Sequence, residues 1–213
     1  MSGYSFRITD NEGERCSGWL SPEHIFTTPE FQKRYDSVKV SLMTPKVALV
    51  PEHFFNPVET REALADVVRL DDSDQVEFIR MPQLGAIILF SNNIGETLSR
   101  MITQTVYTTD GYQARILPEM YYMLEALDRC GDYNKIIASY ADSYLHLVIA
   151  QGKSLQIANT FKAPDFTTAE YFIFSTMKKL QLNPEVSSIC FRTPVTTEQE
   201  MAMYRYFKSV EVL

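Results

Sequence analysis

Apolar and polar residues alternate with a period of two at several places along the chain. Each such run predicts a strand whose side chains point to opposite faces in turn. Tyr4–Ile8 and Arg15–Leu20 flank the turn-forming Asp10-Asn11-Glu12-Gly13 and predict a β-hairpin. Ser37–Met43 alternates in the same way, and Lys46–Val50 is an apolar run that ends at Pro51; they predict a second strand pair, followed by a helical turn at PEHFF. Thr60–Val68 predicts a short helix, with Thr60 in the N-cap place and Glu62 in the first turn. Gln75–Met81 and Leu84–Phe90 predict strands on either side of Pro82-Gln83, Ile94–Thr103 a helix, and Val106–Thr108 a short strand. In Gln113–Cys130 the apolar residues Ile116, Met120, Met123, Leu124 and Leu127 recur at three- and four-residue steps, which predicts a helix closed by Gly131.

The last third is the most regular. Lys135–Ala141, Tyr144–Ala150 and Leu155–Phe161 are β runs joined by Asp142-Ser143 and Gln151-Gly152-Lys153, which describes an antiparallel meander. A helix over Thr168–Gln181, a strand over Ser187–Phe191, a helix over Thr197–Phe207 and a strand over Val210–Leu213 follow. The order β-β-β-α-β-α-β makes this an α/β chain.

Composition adds exclusions. With 213 residues and 45% hydrophobic content, the chain buries a sizeable core without staples. A net charge of -7 with scattered Lys and Arg provides no basic face, so nucleic acid is not an expected partner. The start lacks the pattern of a signal peptide and no apolar run is long enough for a membrane span, which predicts a cytoplasmic protein. Cys16, Cys130 and Cys190 are odd in number and form no CxxC pair, so they are expected to be buried free thiols.

A three-strand meander followed by alternating helices and strands, used twice, resembles the duplicated ribonuclease-H-like architecture of actin-type ATPases. The stretches KVALVPEHFF, SLQIANTFKAPDFTTAEYFIFSTMKKLQLNPE and MYRYFKSVEVL are similar to an uncharacterised bacterial family, found mainly in Bacteroidetes, known as a domain of unknown function. The resemblance spans nearly the whole chain and is clearest over residues 144–213. It implies an actin-like ATPase fold of two halves, 1–132 and 133–213, related in shape to pilus-assembly and secretion-system adaptors. Its members carry a strand before the segment matching GYSFRI, whereas this chain starts at Met1 almost inside it. That implies a first half without its first strand, or a start upstream of Met1.

Active actin-like ATPases hold phosphates with two Asp-x-Gly hairpins, because glycine lets backbone N–H groups approach while the aspartate orients the metal. Here Asp142-Ser143-Tyr144 places a tyrosine where the glycine is wanted, and Asp10-Asn11-Glu12-Gly13 adds a carboxylate that repels phosphate. The paired glycines of the purine pocket are replaced by Phe191-Arg192-Thr193-Pro194, and no two of the 8 glycines are adjacent. Asp142 therefore reads as an ordinary turn aspartate.

His24, His53 and His146 are dispersed without ligand spacing, and His146 reads as a structural or partly exposed histidine in its strand rather than a ligand. Asp71-Asp72-Ser73-Asp74 lacks the glycine and distal glutamate of a calcium loop and is expected to be a solvated loop. No GxSxG elbow, P-loop or GxGxxG is present. Tyr121, Tyr122, Tyr171, Phe172, Phe174, Tyr204, Tyr206 and Phe207 read as mainly core, with Met120, Met123, Met201 and Met203 able to mark a protein contact on one face.

The reading that unites these observations is a catalytically inactive actin-like module that acts by contact with an unknown protein or a second copy of itself. No catalytic residue, metal ligand or cofactor is assigned, and residues that would bind a cofactor are not identified. Two alternatives stand beside it: a diverged actin-like ATPase or small-molecule kinase, and a small-ligand binding protein using the cleft between the halves.

Overall fold

The computed structural model describes residues 3–11, 13–21, 23, 27–92 and 115–213. The expected helix Ile94–Thr103, the expected strand Val106–Thr108, Glu12 and His24 lie outside the described residues.

The opening hairpin is β1 (Arg7–Asp10) and β2 (Gly13–Cys16), with Tyr4 bridged to Leu20 beyond it. Next come β3 (Val40–Leu42), β4 (Val47–Pro51), the short helix α1 (Thr60–Ala65), β5 (Val76–Met81), β6 (Ala86–Ser91) and β7 (Ile116–Pro118). The second half of the chain runs α2 (Glu119–Ala126), β8 (Asn134–Ala141), β9 (Tyr144–Gln151), β10 (Ser154–Lys162), α3 (Phe166–Lys179), β11 (Ser188–Phe191), α4 (Thr197–Tyr204) and β12 (Ser209–Val212).

The five strands β8 to β12 form one sheet in the order β10-β9-β8-β11-β12. The meander β8-β9-β10 is antiparallel, and β11 lies parallel to both β8 and β12. Parallel neighbours need crossovers, and α3 and α4 supply them. The apolar stripe of α3 (Ala169, Ile173, Met177) covers Leu145, Leu147 and Ile149 of β9, together with Ile189 and Phe191 of β11 and Met203 of α4. The alternate residues Val148 and Ala150, with Ile137 and Cys190, face the other way onto α2 and onto Ile79, Met81, Ile88 and Phe90 of β5 and β6.

The smaller sheet, β4-β6-β5, repeats the logic. Every residue of β6 is buried: Ile88 and Phe90 face the larger sheet, and Ile87 and Leu89 pack on Leu64 of α1. Continuous apolar runs such as Ile87–Phe90 are what a strand covered on both faces requires. Each such large side chain contributes on the order of 1.5–3 kcal/mol.

Several expectations are corrected. Ser37–Met43 and Lys46–Val50 do not pair with each other: β3 pairs in parallel with β7, and β4 pairs antiparallel with β6. Thr44-Pro45 between them has none of the Asn-Gly chemistry of a tight hairpin. The helix read over Gln113–Cys130 is shorter, because Ile116–Pro118 is a strand and α2 ends at Ala126. Gly131 does not cap it; Lys135 Nζ donates to Leu127 O at 2.6 Å and satisfies the C-terminal turn instead. Thr60 is not a cap either, since Glu59 holds that position and Thr60 Oγ1 donates to Pro57 O. Helix α3 begins two residues before its expected start, with Asp165 as its cap accepting from Thr168 N at 2.7 Å. Thr196 and Gln199 form a reciprocal capping box on α4. Cys16 is exposed, because β2 pairs only with β1 among the described strands and packs on no second layer; Cys130 is half-buried and Cys190 buried.

The β8-β9 connection is a two-residue turn in which Asp142 (φ 52°) and Ser143 (φ 62°) are both left-handed, the backbone that matches strand twist. A non-glycine residue in that region is strained by about 1 kcal/mol. Ser143→Gly is therefore expected to raise stability by roughly 0.5–1 kcal/mol, read as a higher urea midpoint at unchanged m-value.

Candidate functional site

Strands β8 and β11 lie side by side and run the same way, so their carboxyl ends open together in the middle of the larger sheet. In open α/β sheets that edge is where ligands are held. Here it carries a buried polar cluster. Glu119, the first residue of α2, is only 3% exposed and directs its carboxylate at the sheet. Its Oε1 accepts from Ser139 Oγ at 2.7 Å and from Arg192 Nε at 2.9 Å. Its Oε2 accepts from Ser41 Oγ on β3. The Arg192 guanidinium lies 5.5 Å from the ring centroid of Tyr122, whose hydroxyl donates to Val40 O at 3.4 Å. Burial, then Glu125, pushes the Tyr122 phenol up to about 12, so it stays neutral.

His146 extends the cluster across the sheet. It stands opposite Ser139 on β8 and Thr160 on β10, and its Nδ1 lies 3.2 Å from Thr160 Oγ1. It is 1% exposed, and its Nε2 is buried without a hydrogen-bond partner among the described residues. Burial pulls its pKa down to about 4, against the upward pull of Glu119. Of the two readings left by the sequence, a structural or a partly exposed histidine, the burial fits the first; its place beside a buried Glu–Arg pair was not legible.

The hairpins that would hold phosphate are tied to the chain itself. At the β8-β9 turn, Ser143 O accepts from Ala163 N at 2.8 Å, and Tyr144 is already a strand residue. At the first hairpin, Asp10 is paired with Arg15 at 2.5 Å and Glu14 with Arg7 at 2.9 Å. In the segment replacing the paired glycines, Arg192 N donates to Ala138 O, and Thr193 Oγ1 accepts from Tyr140 N at 2.9 Å. His53 sits on a 3-10 turn with its ring 4.0 Å from that of Phe54, apart from the polar cluster.

The acidic run at 71–74 is not a solvated loop throughout. Asp71 and Asp72 are exposed, but the Asp74 side chain is fully buried and paired with Lys46 Nζ at 2.5 Å. It also accepts from Ser91 Oγ at 2.6 Å and from Asp71 N at 2.6 Å. Burial alone would raise this carboxyl, yet the hydrogen bonds from Lys46, Ser91 and the backbone hold it down at about 2. Lys46, at the entry to β4, and Ser91, at the end of β6, are thereby latched to the loop ahead of β5.

Two groups of residues were missed in the sequence. Glu119 and Ser139 carried one signal, a carboxylate directly after Pro118 at the start of a mainly apolar helix. Lys46 and Ser91 carried none, because their meeting depends on strand pairing. Among the described residues no group of three His, Cys, Asp or Glu side chains is placed to hold a metal ion. No described helix is long and apolar enough to cross a membrane.

Removing one partner of a buried ion pair strands the other. Glu119→Ala is expected to cost about 3–5 kcal/mol in chemical denaturation, while Glu119→Gln, which keeps an acceptor for Ser139, costs less. In acid, the unfolded chain protonates histidine near 6.5 whereas His146 in the folded chain resists until about 4. Stability should therefore be complete above the higher value and fall as pH drops through that window. His146→Gln should remove this slope in stability measured against pH, leaving the further loss from Asp74 between its ordinary 3.8 and about 2.

The comparisons with known proteins follow this geometry. A protein from Bacteroides thetaiotaomicron, with an actin-like ATPase fold and unknown function, superposes with a TM-score of 0.67 at 13% identity over 100% of this chain and 87% of its own. The cytoplasmic domain of EpsL, an inner-membrane component of the type II secretion system of Vibrio cholerae, aligns with a TM-score of 0.48 at 11% identity, over 90% of this chain and 77% of its own. No curated protein matches the chain. A family model described as a protein of unknown function matches residues 4–210. This α/β chain, with its ribonuclease-H-like strand order and an actin-like ATPase fold, thus belongs to the family of unknown function DUF3822.

Proposed function

We propose that this chain is a catalytically inactive, cytoplasmic actin-like module that works by binding another protein. Its two ribonuclease-H-like halves are taken as residues 1–132 and 133–213. The observation that carries the reading is the state of the crevice at the carboxyl ends of β8 and β11. An ATPase of this fold needs glycine-lined backbone there to receive phosphate. This chain has a tight Asp142-Ser143 turn bonded to its own Ala163, and beside it a carboxylate, Glu119, whose hydrogen bonds point inward. A buried carboxylate next to a phosphate site would repel the ligand, and Arg192, the cation that could offset it, is already engaged.

The surface supports contact as the mode of action. Tyr171 on α3, Met201 on α4 and Tyr206 just after α4 are more than half exposed, and Phe174 packs its ring 4.9 Å from that of Tyr206. Tyrosine and methionine are enriched at protein interfaces, tyrosine because it buries a large area with little loss of conformational freedom and methionine because its flexible thioether adapts to the partner's surface. The partner is a second protein or a second copy of the chain.

Thermal unfolding with and without millimolar Mg-ATP tests the reading. A nucleotide present at one hundred times its dissociation constant adds about 2.7 kcal/mol, a rise of several degrees for a chain of this size. No rise is expected. A clear rise that Asp142→Ala abolishes would sink the proposal and favour the diverged ATPase or kinase.

A further inference from the structure

Helices α3 and α4 cover the face of the larger sheet that points away from α2, and their outer sides meet solvent. Strands β8, β10, β11 and β12 all run the same way, so both helices, returning between successive strands, run opposite to them. Their N-terminal ends therefore lie at one edge of the face and their C-terminal ends at the other.

Charge is sorted along that direction. Asp165 caps α3, and Glu198 and Glu200 stand in the first turn of α4, whereas Lys178 and Lys179 end α3 and Lys208 follows α4. Glu185, in the turn before β11, is an exception at the basic end, and Glu170 and Arg205 between the ends are of opposite sign. Lys162 shares the acidic end but alternates with Phe161, whose ring stacks on Phe172 of α3, and so belongs to the other face. Between the two charged ends lies apolar surface open to water. Tyr171 is 65% exposed, and Met201, Tyr204 and Tyr206 are exposed beside it in the sequence of α4 and its exit. Phe174 joins the two helices beneath, its ring 4.9 Å from that of Tyr206 and 5.7 Å from that of Phe207. The helix dipole favours such charges at helix ends, but it gives no reason for large apolar side chains to stay in water between them.

We propose that this face binds a second copy of the chain, in a two-fold dimer that lays α3 and α4 antiparallel across the same helices of the partner. The proposal rests on the reading of the chain as a contact module and names its partner. A two-fold axis lying in the interface and perpendicular to the helices reverses their direction. The acidic end of each copy then meets the basic end of the other, with the tyrosines and Met201 enclosed between. An unlike protein would have to supply the opposite order of charge and apolar surface, whereas a second copy already carries it. The parallel arrangement is rejected, because it sets like charges against each other at both ends.

Sedimentation equilibrium of the full chain from micromolar to millimolar concentration reads the dimer directly. Tyr171→Glu, a change at an exposed position, is expected to raise the dissociation constant about tenfold or more. Lys178→Glu with Lys179→Glu makes both ends acidic, and Glu198→Lys with Glu200→Lys makes both ends basic; each double variant alone should be monomeric. Mixed together, the two should form a dimer with one copy of each, which also shows that both are folded. A chain that stays monomeric throughout overturns the proposal, as does a dimer indifferent to these changes, or a mixture of the two reversals that does not associate. None of these results touches the reading of an inactive contact module, which fails instead on a melting shift with Mg-ATP.

Discussion

Strands β8, β9 and β11 are covered on both faces, and most of the molecule follows from that burial. Helices α3 and α4 occupy one face of the larger sheet; α2 and the smaller sheet occupy the other. Neither sheet could stand alone with its second face open, since each would leave a broad apolar surface to water. Sandwiching makes the core continuous between them, with Ile88 and Phe90 of β6 meeting the side of β9 that carries Val148 and Ala150.

A sheet enclosed in this way tolerates polar residues only when they are matched. The Glu119 carboxylate is tolerated because Ser139, Arg192 and Ser41 donate to it from three separate elements. The Asp74 carboxylate is tolerated because Lys46 and Ser91 reach it from the strands it borders. Satisfied buried networks of this kind fix which elements sit beside which, since a shifted register would leave charges unpaired in a low dielectric. Among the described residues Nε2 of His146, like Asn92 Oδ1 and Asp132 Oδ2, is buried without a partner, and it is the neutral form of the ring that keeps its cost bearable.

The proposed inactivity and the way the crevice is filled are connected. An actin-like ATPase places its hairpins around a phosphate, and the polar atoms of the crevice are then satisfied by the ligand. In this chain they are satisfied from within, by a tight turn bonded to Ala163 and by an ion pair at the carboxyl ends of the parallel strands. A fold constrains where a site can lie and leaves its chemistry to the side chains placed there.

Much of the architecture could be read from the residues alone. The period-two runs of β8, β9 and β10, the turn chemistry of Asp142-Ser143 and Gly152, and the apolar stripe of α3 are local patterns, and local patterns report local structure. So does the lack of an Asp-x-Gly hairpin. Tertiary structure decided what no local pattern encodes: that β3 pairs with β7 and not with β4, and that Pro118 divides a strand from a helix inside one apolar stretch. It also brought Glu119 to Ser139 and Arg192, and Lys46 to Asp74. These pairs are separated by tens of residues, and their distance in space is set by the order of strands in a sheet. Hydrophobic periodicity says which face of a strand is buried, but the identity of the neighbour across that face is settled only when all the strands have been placed.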